Sequence, residues 1–132
     1  MIIKVTTDKE KVKSILNLVS ERESFISTID KEKFPTNAAE NYYEIIKELA
    51  GASLLLEGFK TIGENAHKEL IDKLVNHREF SEGDIIFMND LRIKRNNSSY
   101  DGKKIDPSYL KNNQDKILDL IERLKLIITK RI

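Results

Sequence analysis

The chain contains no cysteine and no tryptophan, and only two prolines and five glycines among its 132 residues. Without cysteine it forms no disulfide, offers no thiolate to a metal and has no thiol nucleophile, a composition that suits a reducing cytoplasm. Scarce proline and glycine leave few forced breaks, which favours long helices. No apolar run approaches the roughly 18 residues of a membrane span. The opening Met1-Ile2-Ile3-Lys4 is too short an apolar stretch to read as a signal peptide. Neither sign of charge dominates: 23 Lys and Arg stand against 22 Asp and Glu, a net charge of +1. Any attraction to nucleic acid must therefore come from a local patch.

The common catalytic signatures are also missing. No glycine-rich phosphate loop follows a strand, and nothing resembles HExxH or GxSxG. The two histidines, His67 and His77, lie ten residues apart, nearly three helical turns, so they cannot share one metal ion. Both are expected on the solvent side. No metal or organic cofactor is expected.

What is present is amphipathic helix. Apolar residues make up 39% and charged residues 34%, enough for one domain, residues 1–132, to bury a core. A first helix is expected from about residue 8 to 29, with Val12, Ile15, Val19, Ile26 and Ile29 at helical spacing and Thr7 with Glu10 as a capping box. A second, from about 38 to 59, would be capped by Asn37 with Glu40. Its inner face would carry Tyr42, Ile45, Ile46, Leu49, Ala52, Ser53 and Leu56. A third follows from Ala66 to about His77, with Ala66, Leu70, Ile71 and Leu74 inward. Ser81 with Asp84 starts a fourth, with Ile85, Met88 and Leu91 inward. It is expected to end near Asn96-Asn97-Ser98-Ser99, residues that favour turns, and residues 100–104 to form a loop. Asp106-Pro107 reads as a cap followed by proline at the first helical position, opening a short turn of helix. A last helix runs from about 113 to 130, with Ile117, Leu120, Ile121, Leu124 and Ile128 inward. No strand is expected. The fold class is all-α, a four- to five-helix antiparallel bundle.

One residue stands out in this pattern. Arg95 falls four residues after Leu91 and seven after Met88, on the apolar face of its helix. A guanidinium there needs a carboxylate or an anion, because an unpaired charge away from water is costly. A carboxylate on the second helix could supply the partner. Asn96, Ser98 and Ser99 follow with hydrogen-bonding groups suited to phosphate or a base. Arg92, Lys94 and Lys103 add charge and are expected on wetter surface. Tyr42, Tyr43, Glu44 and Lys47 form a lesser constellation, with Tyr42 in the core.

The stretch Arg95-Asn96-Asn97-Ser98-Ser99-Tyr100 resembles the HEPN motif, in which an arginine and a polar residue precede a histidine by a few positions. The wording "DLRIKRNNSSYDG" and "LEGFKTIGENAHKELIDKL" is similar to that family too, and the resemblance spans roughly Asn37 to the C-terminus. It implies a four- or five-helix bundle that dimerises so that two motifs line one cleft. It implies either binding of a nucleotide or RNA, or of a small nucleotidyltransferase partner, at Arg95, Asn96, Ser99, Tyr100 and Glu44. The alternative it implies is a metal-independent ribonuclease, as in toxin–antitoxin pairs, using Arg95, Asn96 and Tyr100. Tyrosine stands at position 100 where the family has histidine. A phenol with a reference pKa of about 10 is a poor general base, but it can stack or donate a hydrogen bond. Five residues of regular helix rotate by about 140°, so Arg95 and Tyr100 converge only if the helix unwinds near Ser98.

Overall fold

The computed structural model describes all residues, 1–132. In chain order the elements are β1 (Ile2–Lys4), α1 (Lys9–Thr28), α2 (Pro35–Leu56), β2 (Phe59–Thr61), α3 (Ala66–Asp72) with a 3-10 turn over Lys73–Asn76, α4 (Glu82–Asp101) and α5 (Pro107–Thr129). The class is all-α, as expected, and no helix is long and apolar enough to cross a membrane.

α2 is the axis of the bundle. α1, α3, α4 and α5 all pack on it, so it is buried on more than one stripe: Tyr43 and Ala50 are covered as well as Tyr42, Ile45, Ile46, Leu49 and Ala52. α5 presents Ile117, Leu120, Ile121, Leu124 and Ile128 to it, the face expected from their spacing. The glycine within α2, Gly51, sits opposite Leu70 of α3. A Cβ there would meet only Leu70 Cδ2, at 3.9 Å, an ordinary contact. Gly51→Ala should therefore stabilise the fold by about 0.5–1 kcal/mol, the helix-propensity difference. A thermal melt shifted downward would show that α2 needs the glycine for another reason.

The helix starts differ from expectation in two places. Asp8, not Thr7, caps α1: its carboxylate accepts from the Lys11 amide at 2.9 Å. α2 begins three residues early, because Pro35 at its first position has the right φ and no amide to satisfy. Asn37 is consequently inside the helix rather than its cap. Asp106 does cap Pro107, but the short turn expected there runs on without a break into the last helix.

α4 does not end at the Asn/Ser run. Ser98 Oγ lies 2.9 Å from both Glu40 Oε2 and the Arg95 carbonyl, and Ser99 Oγ donates to Glu40 Oε2 at 3.1 Å. These hydroxyls are engaged by α2 and by their own helix, so they do not compete for the backbone that would otherwise turn. The stop comes at Gly102, in the left-handed region at φ 68°, where the Gly102 and Lys103 amides close on Ser98 and Asn97. Tyr100 and Asp101, expected in a loop, are helical.

The strand pair was not expected. β1 and β2 run antiparallel with Ile2 opposite Thr61, Ile3 opposite Lys60 and Lys4 opposite Phe59. Each has three residues, too few to show a period of two. Gly58, at φ 85°, makes the sharp return from α2 into β2.

Candidate phosphate-binding seam

The polar residues of α4 do not lie on open surface. Arg92 and Arg95 point into a seam between α2, α3 and α4 whose floor is Tyr43. Arg95 Nη2 donates to Glu44 Oε1 at 2.9 Å, and its guanidinium lies over the Tyr43 ring with 5.7 Å to the centroid. Its side chain is 20% exposed. Glu44 is shared: Lys47 Nζ approaches its other oxygen to 2.6 Å. Burial pushes the Glu44 carboxyl up, but the Lys47 hydrogen bond and the charges of Lys47, Arg95 and Arg22 outweigh it and hold the group below its ordinary range. Glu44 is thus the α2 carboxylate that pairs with Arg95.

Arg92 is half-buried rather than on wetter surface, because its Nε donates to Asn89 Oδ1 at 3.0 Å, and Asn89 in turn donates to Asp72 Oδ1 at 2.9 Å. It makes no ion pair, so most of its donors remain available. Lys94 turns away, also half-buried, with its ammonium 4.6 Å from the Tyr109 ring centroid. Lys103 is exposed beyond the helix end.

Asn96 stays beside Arg95, accepting from Nη1 at 3.4 Å. Ser99 is tied to Glu40. Tyr100 is not brought to them. Because α4 remains regular, Tyr100 lies about 140° round the helix from Arg95 and is 76% exposed. Within one chain Arg95, Asn96 and Glu44 form a group; Tyr100 stands apart from it.

His67, like Arg92 and His77, was expected toward solvent and is instead drawn inward. It is half-buried, its ring 6.5 Å from that of Tyr43 and tilted by 53°. Burial lowers its pKa, and Lys47, Arg95 and Arg92 push the same way against Glu44 alone. An imidazole with this history is neutral at pH 7 and sits in a locally positive field. His77 is also half-buried, 2.9 Å from Glu57. No sequence signal marked His67, because its neighbours come from α2 and α4 and only packing assembles them. No three His, Asp or Glu side chains converge as metal ligands would.

Tyr43 has a further peculiarity. It is fully buried, and its hydroxyl has no protein partner. Burial pushes its phenol up to about 12, against the charges of Arg92 and Arg95, so it stays un-ionised. An unsatisfied buried polar group costs about 1–3 kcal/mol. Tyr43→Phe should therefore be neutral or stabilising by up to about 1 kcal/mol in chemical denaturation. A clear destabilisation would show that the hydroxyl has a partner.

No family model, curated protein or solved structure matches the chain.

Proposed function

We propose that the protein is a HEPN-like helical module that binds a phosphate of a nucleotide or RNA at the seam of α2, α3 and α4, acting in the cytoplasm as a homodimer. One observation carries this reading. Three cations, Lys47, Arg92 and Arg95, gather around Tyr43 and His67, and Glu44 is the one carboxylate that pairs with them there directly. That is the local positive patch a chain of net charge +1 needs in order to attract an anion. Planar guanidinium groups suit phosphate oxygens, which they can grip with two parallel hydrogen bonds. The test is titration of a nucleotide and of a short single-stranded RNA at several salt concentrations. Saturable binding that weakens with salt supports the reading, and no binding at low salt removes it.

A second reading, a ribonuclease, is favoured by His67. A neutral imidazole beside an arginine cluster is the proton-handling group that an exposed Tyr100 is not. Cleavage of mixed RNA that persists with chelator and is lost in His67→Ala would establish it; intact RNA would leave binding alone.

The dimer has a candidate face. Ile86, Ile93 and Tyr100 recur every seven residues along α4, with 64%, 46% and 76% of their surface exposed. This is the seam spacing of paired helices. Arg95 lies about 160° round α4 from Ile93. A dimer on this stripe would therefore hold two separate phosphate sites rather than the shared cleft the resemblance implies. Light scattering at tens of micromolar should give a dimer, and Ile93→Glu a folded monomer whose melting temperature no longer depends on protein concentration. A wild-type protein that is monomeric throughout would count against the pairing.

A further inference from the structure

Beside His67 the chain leaves a cavity of about 250 Å³ between α2, β2 and α3. Its polar lining is Lys47, Lys60, Thr61 and His67, with Gly51 and Leu70 among the remaining wall residues. Although the chain has 22 acidic residues, no carboxylate lines this space. Lys60 makes no ion pair, and Lys47 spends its one on Glu44, outside the cavity. Lys60 stands opposite Ile3 in the strand pair, so its backbone is held by the sheet rather than by a free loop. Gly51 has no Cβ, which leaves the α2 wall open at that point.

We propose that this cavity is an anion subsite that takes a phosphate group, with Lys47 and Lys60 as cationic ligands, His67 as an imidazole donor and Thr61 as a hydroxyl donor. All four groups can donate a hydrogen bond, and both lysines carry the complementary charge. The space lies below the range of about 300–1,000 Å³ usual for ligand pockets. It therefore admits the phosphate end of an ester rather than a whole nucleotide. The subsite shares Lys47 and His67 with the arginine seam, so a ligand carrying two phosphates could occupy both. This extends the seam reading and is separable from it.

The experiment is an NMR titration of inorganic phosphate into the full chain at constant ionic strength near pH 6, following the imidazole signals of the two histidines. His77, paired with Glu57 elsewhere, is an internal control. The expected result is a saturable shift of His67 alone, with its pKa rising because a bound anion favours the charged ring. Lys60→Glu should weaken the phosphate affinity roughly tenfold or more, since it reverses one charged contact. Gly51→Ala, which places a methyl in the wall, should weaken it several-fold while the protein stays folded. Lys103→Ala, remote from the cavity, should change nothing. His67 unmoved, His67 and His77 moving together, or full affinity in Lys60→Glu would each overturn the subsite. Phosphate seen at His67 in a protein with no RNA affinity would sink the seam reading alone. RNA binding with His67 silent to phosphate would sink the subsite alone.

Discussion

Asp84→Ala should destabilise the protein by about 2–4 kcal/mol at neutral pH, the largest effect expected of any single polar side chain here. Asp84 has two structural duties. It completes the capping box that starts α4, accepting from the Ser81 amide at 3.0 Å while Ser81 Oγ accepts from the Asp84 amide at 3.1 Å. It also clamps α5, receiving Lys116 at 2.6 Å and Arg123 at 2.7 Å. Its side chain is only 6% exposed, while Lys116, at 42%, still reaches water. Arg123 keeps Asp119 and the Glu79 carbonyl if Asp84 is lost. Arg123 keeps these partners and Lys116 keeps water, so neither cation is stranded, which holds the cost within this range rather than above it. The pH dependence follows from the same contacts. Arg123, reinforced against burial by Lys116 and the Ser81 amide, holds the Asp84 carboxyl well below the usual carboxylate range. A group with a depressed folded pKa stabilises fully above its unfolded pKa, about 4 for aspartate, and loses that contribution as pH falls toward the folded value. Asp84→Asn keeps an acceptor for the cap and removes the charge. The stability gap between wild type and Asp84→Asn, measured by denaturant unfolding, should be wide at pH 7 and narrow steadily below about pH 4. No gap at pH 7 would mean that the cap, which Asp84→Asn keeps, and not the ion cluster, is what Asp84 supplies.

For ligand binding the largest expected loss is at Arg95. Arg95→Ala should reduce nucleotide or RNA affinity by about 1.5–3 kcal/mol, the range for a hydrogen bond to a charged group, or roughly 10–150-fold. The fold should survive, because Glu44 retains Lys47 as its partner. Arg92→Ala should cost a comparable amount, since Arg92 faces the same seam without a direct ion pair, Asp72 being linked to it only through Asn89. Lys103→Ala should cost little, its ammonium being exposed and screened by salt. Isothermal titration of the three variants ranks them. Equal losses in all three would replace the seam by a diffuse basic surface, and unchanged affinity in Arg95→Ala would remove Arg95 from the site. Tyr100→Phe adds a separate reading: if Tyr100 acts only by stacking, affinity should be retained.

The periodicity of apolar residues was enough to place all the long helices, because burial of one stripe per helix writes itself into a repeat of 3.6 residues. The inner face of α5, from Ile117 to Ile128, and the Ser81–Asp84 start of α4 were legible for this reason. So was the need of Arg95 for an acidic partner, since a guanidinium on an apolar stripe cannot stay unpaired. Four things depended on tertiary contacts. The Asn/Ser run of α4 stays helical because Glu40, some 58 residues away, takes up its hydroxyls. The two strands exist because each supplies the other's hydrogen bonds across the chain, and three residues carry no detectable alternation. α2 is enclosed on several sides because four helices happen to pack round it, which no single amphipathic pattern records. His67 became part of a cationic seam only when α3 laid it against Tyr43, beside residues contributed by α2 and α4. Local sequence sets which face of an element is apolar. Which polar groups then meet across elements is decided by the packing of those faces, and in this protein the candidate site is made of such meetings.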